Sequence, residues 1–186
     1  MYTKINEYFN NKNSVLVAVD IQKRFVGQKF INNIIEYSKE FTEVYQIFYG
    51  DEFGIYDTGL DYSPDVKLPN EVGVWVKGLN FYEYAVDKIL WDEDTLEKLE
   101  NDDYEIGDSL ELPANSNFSG MKMVKISDGQ WFLITNSLND LYQSLKDKKI
   151  VLVGGGVGEC LDDVYVSMKS FGLNVKINKK YTYCNM

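Results

Sequence analysis

Ile150-Val151-Leu152-Val153, then Gly154-Gly155-Gly156-Val157-Gly158, then Glu159-Cys160, is the stretch on which the reading of this 186-residue chain turns. Four consecutive apolar residues read as a strand covered on both faces, as in a parallel sheet, because a half-exposed strand would alternate. A glycine loop follows. Beyond it Cys160, Val164, Ser167, Met168 and Phe171 recur at helical spacing, and Gly172 stands where a C′ glycine ends a helix. Cys160 therefore opens a helix, at the positive end of its macrodipole, where thiolate is favoured over thiol. A single well-placed cysteine of this kind points to a nucleophile, although free cysteine is also a common buried hydrophobe.

Working outward, Ser14 to Asp20 is a second continuous apolar run, and it ends in an acid. The pattern predicts a helix over Phe30 to Phe41 and a strand over Glu43 to Tyr49. From about 51 to 118 the pattern loosens into an elaborate connection, with a strand expected over Val72 to Lys77 and helices over Tyr82 to Leu90 and Thr95 to Leu99. Order returns with a strand at Met121 to Ile126, a helix over Ser137 to Lys146 and a last strand at Asn174 to Ile177. Apolar strands alternating with amphipathic helices predict a single α/β domain over residues 1–186. Its expected form is a three-layer α/β/α sandwich, Rossmann-like, on a mainly parallel sheet. In such sheets ligands bind beyond the carboxyl ends of the strands, so Asp20 and Cys160 are expected in one crevice.

Composition narrows the chemistry. The chain is 45% hydrophobic and 26% charged, with a formal net charge of −10. That balance suits a globular domain and opposes binding to a phosphate backbone, which requires a basic face. Small molecules or proteins are the expected partners, a small-molecule substrate first, with neither nucleic acid nor membrane. The two cysteines make no disulfide framework and the N-terminal residues show no signal-peptide stretch, so the expected location is the cytoplasm. Histidine is absent altogether. That removes Ser-His-Asp and Cys-His catalysis and the commonest transition-metal ligand. A cysteine nucleophile here must pass its proton to a carboxylate or a lysine.

Val19-Asp20-Ile21-Gln22-Lys23-Arg24-Phe25 resembles the V-D-x-Q-x-x-F signature that opens the isochorismatase-like cysteine hydrolases. Leu152 to Val175 resembles the same family's nucleophile region without a gap, with Gly154, Cys160 and Gly172 on its glycine, nucleophile and helix-ending glycine. The resemblance covers both ends of the chain and little of 51–118. It implies an aspartate–lysine–cysteine triad in which Asp20 and Cys160 carry over directly. Lys125, near the end of the strand preceding the nucleophile strand, takes the lysine's place; Lys122 and Lys77 compete, Lys77 lying far along the chain from that strand. The resemblance further implies an oxyanion hole from the backbone of Gly156 and Cys160 around a cis peptide at Gly155–Gly156. Substrate contacts are expected from Gln22, Phe25, Trp131 and Gly155.

The implied activity is metal-independent hydrolysis of a small-molecule amide-type C–N bond through a thioester-type intermediate, without cofactor. The alternatives are hydrolysis of an isochorismate-like vinyl ether, or a non-catalytic binding protein that keeps the fold. The departures from the family are specific. The family's G-V-A-T-D has become Gly154-Gly155-Gly156-Val157-Gly158, losing the Thr and Asp side chains. Asp51 matches the metal-site aspartate of the nicotinamidase branch, but no histidine accompanies it. Family members also continue with a further helix and strand after this point, so the expected pocket is either partly open or completed by a second subunit of a homo-oligomer. Dinucleotide binding is disfavoured, because Glu159 occupies the third glycine of G-x-G-x-x-G.

Overall fold

The computed structural model describes residues 13–50, 66–77 and 82–183. Asp51 and Cys184 lie outside them. Along the described residues the order is β1 (Ser14–Val19), α1 (Gln28–Ser38), β2 (Val44–Tyr49), β3 (Glu71–Lys77), α2 (Tyr82–Lys88), α3 (Glu93–Glu100) and β4 (Ser109–Glu111). There follow β5 (Lys122–Ser127), β6 (Gln130–Ile134), α4 (Asn136–Ser144), β7 (Lys149–Gly156), α5 (Cys160–Ser170) and β8 (Asn174–Tyr183). The described helices include none long and apolar enough to cross a membrane.

The main sheet has the order β3-β2-β1-β7-β8, and every pairing in it is parallel. β1 and β2 are buried at every position, which explains their unbroken apolar runs: each face meets a core. On one face Val15, Val17, Val19, Ile150 and Leu152 pack with Leu138 and Leu141 of α4 and Val164 and Met168 of α5. On the other, Leu16, Ala18, Val151 and Val153 pack with Ile31 and Ile34 of α1. Helices thus cover both faces of a parallel sheet, and the α/β expectation holds.

The strand order reverses between β1 and β7. From β1 the chain steps outward to β2 and β3, whereas β7 lies on the opposite side of β1 and steps outward to β8. Such a reversal opens a crevice at the carboxyl ends of the two strands, because the connections leave in opposite directions. Asp20 follows β1 and Cys160 follows β7, so both border that crevice.

Lys125 and Trp131 belong elsewhere. Their strands β5 and β6 form a separate antiparallel sheet in the order β4-β5-β6. The β5–β6 turn is Asp128-Gly129, with Gly129 at φ 61°. An Asp-Gly pair between strands is a strong local hairpin signal, and here the glycine supplies the positive φ. Reading β5 as a strand of the main sheet overlooked that signal.

The first three glycines of the run, Gly154 to Gly156, belong to β7, and only Val157 and Gly158 lie in a turn beyond it. Gly154 has φ +82°, and a Cβ there would lie 2.3 Å from the Val19 carbonyl oxygen and 2.5 Å from Ile21 Cδ1. Gly155, at φ +51°, would place a Cβ 2.6 Å from Leu161 Cβ. These glycines let β7 press against β1 and against the first turn of α5. Gly154→Ala is expected to destabilise the protein by about 3 kcal/mol, combining left-handed strain with overpacking. Thermal unfolding should show a fall of roughly 10 °C in Tm; an unchanged Tm would refute this account of the glycine.

Candidate active site

Asp20 ends β1 in the left-handed region, at φ 49°. Asp tolerates that conformation better than most residues, and the kink ends the strand. Its backbone N–H still donates to the Ile47 carbonyl at 2.8 Å, so the kink begins from a paired position. The side chain is 2% exposed, and Lys77 Nζ lies 3.0 Å from Asp20 Oδ2. Lys77, itself 1% exposed, closes β3 as Asp20 closes β1. Two strands of one parallel sheet thus deliver opposite charges to the same edge. Burial opposes the Lys77 charge, but Asp20 and then Cys160 outweigh it, and its pKa is raised. Lys77 is a fixed cation.

Cys160 opens α5, and its sulfur accepts a 3.2 Å hydrogen bond from the Gly156 N–H. The thiol's pKa is pushed up to about 12, first by burial and next by the Asp20 charge, with Lys77 and the Gly156 N–H pulling the other way. The expectation of a resting thiolate at the helix N-terminus is therefore corrected. A helix end contributes a partial charge at the surface of the fold, whereas burial and a facing carboxylate act directly on the sulfur. The resting state is a neutral thiol beside a carboxylate–ammonium pair. Asp20 Oδ1, buried and without a hydrogen-bond partner of standard geometry, is the atom left to take the thiol proton.

These three residues line a cavity of about 400 Å³ together with Phe25, Tyr49, Ile126, Gln130, Gly158, Glu159, Asp163 and Tyr183. Phe25, Tyr49 and Tyr183 bring aromatic rings to its wall, and Lys77 Nζ stands 5.7 Å from the Tyr49 ring centroid. Tyr183 ends β8, which runs well past the expected Ile177, and its hydroxyl donates to the Asp20 carbonyl at 3.4 Å. Burial, with the Cys160 and Asp20 charges, raises its pKa, so the phenol remains a donor.

Lys125 is not in this site. Its ammonium lies 2.8 Å from Asp102 Oδ1 and donates to the Tyr104 carbonyl at 2.6 Å. The neighbouring Ile126 does line the cavity. Adjacent strand residues point to opposite faces, so Ile126 reaching the cavity turns Lys125 away from it. Lys77 stands where Lys125 was expected; sequence distance misled because a parallel sheet pairs strands irrespective of their separation. Lys122 pairs with Glu111 at the surface, 3.3 Å away.

Among the expected substrate contacts only Phe25 is in the cavity wall. Gln22 is buried with its amide aimed at the Tyr49 carbonyl, 3.5 Å away. Trp131 sits in the core of the second sheet against Tyr104, and Gly155 is covered by Leu161. No described peptide bond is cis, so the cis Gly155–Gly156 expectation is corrected too. The Gly156 N–H expected in an oxyanion hole is engaged by the thiol itself. Asp163 and Tyr183 were missed. Asp163 had a signal, three residues from Cys160 and hence on the same helix face; Tyr183, after Tyr181-Thr182, had none.

Among the described residues no three His, Cys, Asp or Glu side chains form a group able to hold a metal ion. Comparison of the chain with protein-family models, curated proteins and solved structures returns no match in any of the three.

Proposed function

We propose that this protein is a cysteine hydrolase of small-molecule amide-type C–N bonds, with Asp20, Lys77 and Cys160 as its triad, in the manner of the isochorismatase-like family and its three-layer fold. The observation that carries the reading is the buried 3.0 Å pair of Lys77 and Asp20 on the wall of a cavity that Cys160 also lines. Burying an ion pair is costly and rarely stabilises a fold by itself. Placing one against a nucleophilic side chain in a ligand-sized cavity suits catalysis better than packing.

In this reading the substrate carbonyl carbon approaches Sγ, and the thiol proton passes to Asp20 Oδ1 as the S–C bond forms. Lys77 compensates the negative charge that moves from Asp20 to sulfur and on to the carbonyl oxygen. That oxygen is met by N–H groups of the first turn of α5, which a helix leaves without intrahelical acceptors. Collapse breaks the C–N bond, and the leaving amine takes the proton from Asp20. The thioester left on Cys160 is cleaved by water, which gives its proton to Asp20 while its oxygen adds to the carbonyl carbon; the acid departs and the thiol is restored.

One observation favours a second reading, a binding protein without turnover: the thiol held neutral up to about 12. Intact-mass analysis separates the two. Purified protein incubated with a panel of primary amides, ureides and vinyl ethers should acquire an acyl mass on Cys160 that decays as product forms. Slow substrates quenched in acid give the best yield. Substrate consumption with no adduct at any quench time counts against covalent catalysis, and no consumption of any compound favours the binding protein.

A further inference from the structure

Three carboxylates, Asp20, Glu159 and Asp163, line the cavity, against a single described cation, Lys77. Lys77 is already committed to Asp20 Oδ2. Arg24 does not line the cavity; its guanidinium stacks 4.6 Å and 5.0 Å from the Phe25 and Tyr49 ring centroids. With the thiol neutral, the wall around a bound molecule carries excess negative charge.

We infer that the cavity selects small molecules bearing a cationic nitrogen head, an amine, amidine or guanidine on an apolar body, and that Asp163 receives that head. This rests on the hydrolase reading for its site and specifies the substrate: a compound with an amide-type bond and a second, cationic nitrogen. The helix places Asp163 one turn from Cys160 on the same face, so a molecule whose carbonyl reaches Sγ passes the Asp163 carboxylate. An independent sign is Asp20 Oδ1, on a side chain 2% exposed, an acceptor with no hydrogen-bond partner on the cavity wall. That unmet atom is an acceptor, so a ligand that meets it must bring a donor. The rings of Phe25, Tyr49 and Tyr183 suit the apolar body of such a molecule, with Arg24 and Lys77 already set against the Phe25 and Tyr49 rings.

Asp163 is half-buried, and its pKa is raised to about 6, first by burial, then by Asp162, Asp20 and Glu159 against the opposing pull of Lys77. The groups facing it are thus Lys77 from β3, Asp20 from β1, and Glu159 and Asp162 from the start of its own helix. A cationic ligand relieves this crowding of like charges, whereas an anion adds to it.

The test uses three shape-matched probes, benzamidine, benzamide and benzoate, titrated into the full chain by calorimetry at pH 8. Benzamidine should bind at least about tenfold tighter than benzamide, as one well-placed charge-assisted contact allows, with benzoate weakest. At pH 5, where Asp163 is protonated, the advantage of benzamidine should shrink. Asp163→Asn should cut that advantage to below about threefold while leaving benzamide unchanged. Benzoate binding as tightly as benzamidine, an unaltered preference in the Asn variant, or binding of none of the three overturns the inference. No turnover is read, so this result and the hydrolase reading fail separately. A protein that prefers benzamidine but never forms a thioester sinks only the latter.

Discussion

Cys160→Ala protein folds with an unchanged Tm and turns over any substrate found at least about 10⁴-fold more slowly, the scale on which hydrolases lose a covalent nucleophile. The small volume change at a half-buried position accounts for the first part; loss of the only described thiol in the cavity accounts for the second. Asp20→Asn sharpens the result by separating thiol reactivity from catalysis. The Asp20 charge helps hold the thiol up at about 12, and Lys77 pulls it down. Removing the carboxylate leaves Lys77 alone beside the sulfur, so the thiolate becomes easier to form. Alkylation of Cys160 by iodoacetamide at pH 8 should accelerate, while turnover falls by about 10² to 10⁴ for want of a base. In wild-type protein the alkylation rate should keep climbing through the alkaline range without levelling near neutral pH. Unchanged alkylation in the Asn variant would show that Asp20 does not act on the thiol, and slower alkylation would show that it promotes the thiolate instead of opposing it.

The second large effect is at Lys77. Lys77→Met keeps most of the side chain's length but strips Asp20 of its partner. A buried charge left unpaired costs roughly 3–5 kcal/mol, so Tm should drop clearly. In the fraction that folds, the thiol should become harder to ionise, since Lys77 lowers its pKa, and turnover should fall by about 10² or more. Lys125→Met is the control. Its ammonium holds Asp102 and the Tyr104 carbonyl, so its loss should cost about 1–3 kcal/mol through buried acceptors left without a donor. The kcat of folded Lys125→Met protein should stay within about threefold of wild type, as for a side chain that contacts neither cavity nor ligand. The reverse pattern, with kcat lost at Lys125 and kept at Lys77, would overturn the assignment of the lysine.

What the sequence by itself determined was set by local physics. Continuous apolar runs at Ser14–Val19 and Ile150–Val153 can exist only where both faces of a strand are covered, and that burial pattern implies a parallel α/β sheet. The helical recurrence from Cys160 to Phe171, closed by Gly172 at φ +72°, placed the cysteine at a helix start. Asp20 and Cys160 could be put at one edge because strands of a parallel sheet share a direction. Which lysine joins them could not be read in this way. Lys77 and Lys125 each sit at or near the end of an apolar strand, and the choice depends on strand partnership. β3 joins β2 in the main sheet, and β5 turns back on β6 in another. The state of the thiol was also beyond local reasoning. The helix dipole is a property of adjacent residues, but burial and the approach of Asp20 arise from chain segments 140 positions apart. Tertiary structure decided the charge chemistry of the site, because electrostatic interaction follows distance and dielectric in space and not separation along the chain.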